Sequence, residues 1–444
     1  MGTTRLKRTP SSTGTRTKFT YSAWIKRSSN GYHPLVSSWS GNSDAGYLSL
    51  RFGTNGKLDC TGWSTQWFET TQVFRDVNSW YHIVLSVDST LATAGDRMKL
   101  YVNGTQISNF DTQNNPSQNQ EFPFSHSGTP HFIGVQFYSG STYSHYYDGS
   151  MSHIHFIDGT AYPASTFGST DSTTGEWKIN TSPSVTYGTN GFFILKDGNS
   201  VTDQSGQSNN LTVDNGTLTK TEDCPSNVFA ILNPLDNFYS NHGLTNGNTR
   251  TSSSTSTSYQ SPIFTTLGAA SGKYYAECKV IQTSTAYSKI GIGATQITGT
   301  NQAFGSLSNQ YVYNGETGAI TGQSNGATYT DGDIVGIALD LDNNKLYFSK
   351  NGTYQNSGVP TSGSTGTGAS SITAASSTGL GFYFLGCGDI ASNSPQAIWE
   401  WNFGNGYFGT TAVSSAGNNA SGNGIFEYDV PTGFTALSTK GLNL

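Results

Sequence analysis

Charge is the scarcest commodity in this 444-residue chain: Asp, Glu, Lys and Arg together make only 11% of it, against the roughly 25% usual for soluble domains. The formal charge of −6 argues against general nucleic-acid binding, because neutralising phosphates needs clustered Lys and Arg. Cysteine is also sparse. Cys60, Cys224, Cys278 and Cys387 are scattered and form no CxxC pair, so neither a zinc site nor a disulfide framework is expected, and buried free thiols are. No run of about 18 apolar residues exists, so no membrane insertion is expected. The N-terminus lacks the apolar centre of a secretion signal, and Gly2 is not followed by Ser or Thr at position 6, which weakens a myristoylation reading. Few segments carry Leu, Ala, Glu and Lys at helical spacing.

Aromatics at 13% and 53 glycines stand in place of these. With Thr, Ser, Tyr, Phe and Asn they favour short strands joined by polar turns, hence an all-β protein with a neutral polar surface. The length is too great for a single core, and two domains of about 200 residues follow. The best-specified stretch is Val335 to Gly352. Val335, Ile337, Leu339 and Leu341 alternate with small or acidic residues, and Leu346 and Phe348 alternate with Lys345, Tyr347 and Ser349. Two strands are expected, each burying one face, around the turn Asp342-Asn343-Asn344 and followed by a second turn at Asn351-Gly352. Earlier candidate strands run over Phe19 to Lys26, Leu35 to Trp39, Tyr47 to Phe52, Trp80 to Leu85, Met98 to Val102, His131 to Phe137, Asp148 to Asp158 and Gly191 to Leu195. Such an even succession without helices fits a sandwich or jelly roll.

The run Tyr21-Ser-Ala-Trp-Ile-Lys-Arg, then Trp80-Tyr-His-Ile-Val, Leu100-Tyr-Val-Asn-Gly and Asp148-Gly-Ser-Met-Ser-His-Ile-His-Phe-Ile-Asp-Gly resembles the concanavalin A-like, laminin-G-like jelly roll, in the version found in structural proteins of marine bacteriophages. Phe156-Ile157-Asp158-Gly159, Tyr162-Pro163-Ala164 and Phe167-Gly168 are its more specific markers. Further on, Gly272-Lys-Tyr-Tyr-Ala-Glu, Gly291-Ile-Gly293, Gly332-Asp-Ile-Val-Gly-Ile-Ala-Leu-Asp-Leu-Asp and Tyr347-Phe-Ser-Lys-Asn-Gly resemble a SPRY domain, a β-sandwich used for recognition. Two tandem β-sandwich domains are therefore expected: residues 1–218, laminin-G-like with a basic N-terminal arm; a linker over 219–235; and residues 236–444, SPRY-like with a C-terminal tail.

Candidate chemistry is thin. Gly322-Gln323-Ser324-Asn325-Gly326 satisfies GxSxG without the helix that pattern needs. Asp340, Asp342 and Asn344 stand at calcium-loop positions, but Lys345 and Asn351 replace the required Gly and Glu. His153 and His155 would share one strand face near His145, Asp148 and Asp158, and the packed reading is favoured over a metal site. Glu400 lacks the neighbouring acids of a retaining hydrolase. No catalytic residue, metal ligand or cofactor is expected; a shallow calcium site in the first domain, of the sort its relatives carry, is left open and unplaced.

Aromatics near turns are the candidate ligand contacts: Trp63, Trp67, Phe68, Tyr143, Tyr146 and Tyr147 in the first domain, with Tyr138 beside them, and Tyr287, Tyr311 and Tyr313 in the second. Flat rings beside polar groups suit sugar faces or protein anchors, though many tyrosines in a β protein simply cap the core. Arg5, Lys7, Arg8 and Arg16 precede the first acidic residue, Asp44, and are the candidate docking arm for an acidic partner. The resemblance implies a non-enzymatic virion protein, assembled in the host cytoplasm with other virion proteins. A tail fibre or surface appendage recognising host-surface glycan or a protein receptor, as a homo-oligomer, is preferred. A head decoration or tail adaptor is the alternative, and a glycan-degrading enzyme the weakest reading.

Overall fold

The computed structural model describes residues 3–139, 142–196, 198, 200–237, 242–253, 262–283, 288–299, 302–389 and 396–443. They form two compact units, Met1–Lys220 with Cys224–Ser226, and Thr221–Asp223 with Asn227–Leu444. Both are all-β, the helices among the described residues being 3₁₀ segments of three to six residues.

In the N-terminal unit an eight-stranded antiparallel sheet runs in the order Phe110–Gln113, Gln66–Thr70, Leu58–Thr61, Tyr47–Phe52, His33–Trp39, His131–Ile133, Arg5–Arg8, Thr212–Asn215. The opposing six-stranded sheet runs Phe192–Ile194, Gly149–Asp158, Lys18–Arg27, Tyr81–Asp88, Met98–Val102, Thr105–Gln106. Alternation decides what each strand contributes to the space between them. Phe19, Tyr21, Ala23 and Ile25 point inward to meet Leu48, Leu50, Phe52, Leu58 and Cys60. Phe122 and Phe124 wedge edge-on against Phe19 at 5.7 and 5.3 Å between ring centroids, the geometry that ring quadrupoles prefer.

The strand Lys18–Arg27 alternates Phe19, Tyr21, Ala23 and Ile25 with Thr20, Ser22 and Trp24, yet nine of its ten residues are buried. Its second face is covered by a layer built from Ala164, Phe167 and Tyr187, packed on Val84, Ile157 and Phe193. Thr20 ties that layer down, donating to the Thr160 carbonyl at 2.8 Å and accepting from the Tyr162 amide at 2.8 Å. The sequence of this layer is Ser-, Thr- and Gly-rich without periodicity, so it reads as loop.

His153 and His155 both meet the Phe193 ring, at 5.8 and 4.0 Å between centroids, as a packed pair, although not through regular alternation. The ladder between Gly149–Asp158 and Lys18–Arg27 shifts register between Ser152 and His155, and His153 has φ 46, so the extra residue is a β-bulge. The bulge keeps Met151 and Ile154, three apart, on the core side. It leaves His155 on the outer face, stacked on Phe193 at 4.0 Å and bonded to the Tyr187 hydroxyl at 2.8 Å.

In the C-terminal unit the larger sheet runs Gly243–Thr245, Arg250–Ser252, Ile398–Asn402, Lys273–Gln282, Ile334–Asp340, Lys345–Lys350, Thr353–Tyr354. It faces a four-stranded sheet, Ile263–Ala269, Tyr383–Gly388, Lys289–Gly293, Gln310–Asn314. The expected hairpin stands with Ile337 opposite Phe348 and Leu339 opposite Leu346. Asn344 and Asn351 take φ 55 and 48, left-handed backbone that asparagine tolerates better than most side chains.

Here the expectation of one buried face per strand fails, because all seven residues of Ile334–Asp340 are buried. Ala338, Tyr347 and Tyr275 are roofed by Phe426, Val430, Phe434 and Ala436 from the chain's last forty residues. Glu277, fully buried, anchors this roof. Its carboxylate accepts from the Glu427 and Tyr428 amides at 2.8 Å each, from the Tyr275 hydroxyl at 3.1 Å and from Asn402 Nδ2 at 3.3 Å. Asn402 in turn donates to the Ile425 carbonyl and accepts from the Gly404 and Gly406 amides. The tail named in the sequence is thus a structural layer.

Candidate functional site

On the core side of the eight-stranded sheet lie Leu48, Leu50, Phe52, Leu58 and Cys60; pleating therefore sends Tyr47, Arg51, Asp59 and Thr61 to its outer face. These four side chains assemble a patch. Arg51 Nε lies 3.0 Å from Asp59 Oδ1, Arg51 Nη2 donates to Thr61 Oγ1 at 3.1 Å, and the guanidinium sits 4.8 Å over the ring of Tyr32. Tyr32 lies against His145, the rings tilted by 34° with centroids 4.1 Å apart. The Tyr47 hydroxyl accepts from Gln136 Nε2 at 2.8 Å. Burial pushes the Asp59 carboxyl up from its ordinary value, although Arg51 and Thr61 pull the other way.

Trp63 stands beside this group, edge-on to Tyr47 at 6.5 Å and 41% exposed. Its loop is fixed by one carboxylate. Asp44 accepts from the Ser64 amide and hydroxyl, both at 2.8 Å, and from the Thr65 amide and hydroxyl at 3.2 and 2.7 Å. Although burial pushes in the opposite direction, those donors hold the Asp44 carboxyl below the usual carboxylate range. The indole is thus exposed on a pre-organised loop, which limits the entropy lost on binding.

The other aromatic candidates lie elsewhere. Trp67 and Phe68 are buried at 4% and 3% exposure; Trp67 packs edge-on to Phe122 at 5.8 Å and Phe68 lies 5.6 Å from Phe110. A Trp67→Ala variant should therefore lose about 3–5 kcal/mol of stability, while Trp63→Ala should stay within about 0.5 kcal/mol of the parent. Urea denaturation of both variants checks the contrast.

Tyr143 and Tyr146 belong to the hairpin Val135–Tyr138 with Thr142–Tyr146, which folds over Phe132 and Trp39. Arg5 covers the Tyr143 ring at 3.9 Å. Tyr147 is half-buried and donates to the Lys26 carbonyl at 2.8 Å. In the C-terminal unit Tyr313 is a core residue between Tyr329 and Phe348. Tyr311 is half-buried, its hydroxyl accepting from the Thr373 amide at 2.9 Å. Tyr287 lies outside the described residues. Among the described residues, the structure brings none of these candidates to the Trp63 patch.

The basic arm is not an arm. Arg5–Arg8 is an inner strand of the eight-stranded sheet, between His131–Ile133 and Thr212–Asn215. Arg5 pairs with Asp214 at 2.6 Å, Arg16 with Glu121 at 2.6 Å, and Arg8 donates to Asn209 and Asn190. Burial drives this placement: Leu6 belongs to the core, and Arg5 beside it finds Asp214 where the strand places it.

Among the described residues no group of three His, Cys, Asp or Glu side chains gathers as a metal site, and the GxSxG serine sits on an exposed loop with no helix after it. Sequence reasoning found Trp63 and missed Tyr32, Tyr47, Arg51, Asp59, Gln136 and His145. The outward parity of Tyr47, Arg51 and Asp59 was available from the alternation of their strands; their adjacency across strands was not.

Residues 2–165 match the family model of the concanavalin A-like lectin/glucanases superfamily, and residues 273–369 match that of the SPRY domain. Ran-binding protein 9 of Danio rerio is 36% identical over 92 residues, 19% of this chain and 15% of that protein. Ran-binding protein 10 of the same fish is 35% identical over the same shares. The chain thus spans a small fraction of the length of these curated relatives. Among solved structures, a SAP-like pentraxin from Limulus polyphemus aligns over 44% of this chain and 90% of its own, at 16% identity and TM-score 0.31. The SPRY domain of human HERC1 aligns over 36% and 91%, at 14% identity and TM-score 0.27. The chain joins a concanavalin A-like, laminin-G-like domain to a SPRY domain, both of them β-sandwiches.

Proposed function

We propose that this protein is a non-enzymatic recognition component of a bacteriophage virion, a tail-fibre-type or other surface appendage that holds host-surface glycan against the patch around Trp63. It works as a homo-oligomer alongside other virion proteins, and is assembled in the host cytoplasm. The observation that carries the reading is the exposed indole on the loop locked by Asp44, beside Tyr32, Arg51 and Asp59. An aromatic face next to planar polar groups suits a pyranose, which stacks its C–H face and spends its hydroxyls on fixed donors and acceptors.

The non-enzymatic part rests on the same geometry. Asp59 is held by Arg51, and Glu69, directly across the ladder, accepts from Asn55 Nδ2 at 3.0 Å. Hydrolysis needs one carboxyl free to give a proton and a second free to attack or to activate water, and these two are engaged. A glycan array probed with the intact chain tests the proposal. Binding to one class of bacterial surface glycan is expected, falling about tenfold or more in Trp63→Ala and Tyr32→Ala. Binding that survives both changes would place the site elsewhere.

A further inference from the structure

A groove of about 460 Å³ opens in the N-terminal unit between the segment around Lys7–Ser11 and the segment around Ser208–Asp214, within the size range of small-molecule sites. We propose that it is a second ligand site, independent of the Trp63 patch, that takes the carboxylate or sulfate of an acidic saccharide. Its lining contains hydroxyls, amides and charges, such as Ser11, Asn210 and Thr212, and no apolar side chain. A peptide would find no pocket for an anchor residue there, whereas a hydroxylated ring would find partners throughout.

Spare donor capacity marks the anion's position. Asp214 is taken by Arg5 at 2.6 Å, which leaves Lys7 Nζ at 3.8 Å from its other oxygen, beyond hydrogen-bond distance, with the side chain 37% exposed. Arg8 spends Nη2 on Asn190 and Asn209 and buries Nη1, so it adds positive charge beside the groove while Lys7 supplies the reachable donor. The acids that face Arg8, Asp203 and Asp158, are engaged elsewhere. Asp203 accepts from the Phe193, Ser205 and Asn209 amides and the Ser205 hydroxyl, and Asp158 from the Thr15 and Asn190 amides. Those same bonds fix the groove's wall, in which Ser208 is held at φ 59, a conformation uncommon for a residue with a side chain and typical of constrained sites.

Isothermal titration of the intact chain with trigalacturonate, a sulfated galactose trisaccharide, neutral galactotriose, hexaglutamate and sodium sulfate tests this. Saturable binding of at least one acidic trisaccharide is expected, about tenfold tighter than the neutral one. It should weaken about tenfold in Lys7→Gln, weaken also in Asn210→Ala, and stay unchanged in Trp63→Ala. That last arm separates this site from the proposed glycan face. No binding by either acidic trisaccharide, equal binding of galactotriose, or indifference to both groove variants would overturn the site. Hexaglutamate or sulfate binding as tightly as the saccharide would overturn the saccharide assignment.

Discussion

Glu277→Ala is expected to cost the C-terminal unit about 3–5 kcal/mol and to release the roof formed by the chain's last forty residues. Two backbone amides, the Tyr275 hydroxyl and Asn402 Nδ2 all donate to this fully buried carboxylate. Each buried donor left without an acceptor costs about 1–3 kcal/mol, partly relieved where water enters. The roof keeps its apolar contacts, Phe426 edge-on to Tyr275 at 5.0 Å among them, and the pairing of Thr435 and Ala436 with Tyr274 and Tyr275, but loses the bonds that hold Glu427 and Tyr428. Limited proteolysis should cut the variant after residue 403 while the parent resists; equal resistance would show that the apolar contacts suffice alone.

The second large effect is opposite behaviour of the two units with pH. His82, His131 and His33 are buried in the N-terminal unit, and each ring accepts an N–H. His82 Nδ1 takes the Trp177 indole at 3.0 Å, His131 Nε2 the Ser125 amide at 2.9 Å and His33 Nδ1 the Asp148 amide at 3.3 Å. Burial pushes His82 and His131 down to about 3 and His33 down to about 4, from 6.5. Below 6.5 the unfolded chain takes up protons that the native unit refuses, so stability is lost as pH falls from 6.5 towards 4. At pH 4 the loss is roughly 3 kcal/mol for each of these rings.

Glu277 works in reverse. Burial lifts its carboxyl to about 7 from 4.5, so the native C-terminal unit holds a proton that the unfolded chain gives up. That contribution is complete below 4.5 and is lost as pH rises through 7, a change of roughly 3 kcal/mol. Calorimetric scans from pH 4 to 8 should therefore show the N-terminal transition rising with pH and the C-terminal one falling, with the fall abolished in Glu277→Gln. Two transitions that move together would contradict these assignments.

Sandwich architecture was legible because it depends on alternation within single strands. Phe19 to Ile25 and Val335 to Leu341 each announce one buried face, and the asparagines of the turns announce where the strands reverse. Burial of the second face was not legible, because the covering residues, Ala164 and Phe167 in one unit and Phe426 to Ala436 in the other, carry no period of their own. The same limit separates Trp63 from Trp67. Both sit among Gly, Ser and Thr, and what sends one outward and the other into the core is the register of Gln66–Thr70 on Leu58–Thr61, which slips between Cys60 and Thr61. Likewise, Arg5 to Arg8 reads as a free basic end until Asp214, more than two hundred residues later, is seen beside it.

The central claim is that the face around Trp63 holds a surface polysaccharide without altering it. Host-envelope polysaccharide incubated with the intact chain, then separated into bound and free fractions and sized, tests this most directly. The account predicts retention by the parent, loss of retention in Trp63→Ala, and an unchanged polymer length in every fraction. Retention indifferent to Trp63, or polymer shortened by the parent chain, would contradict it.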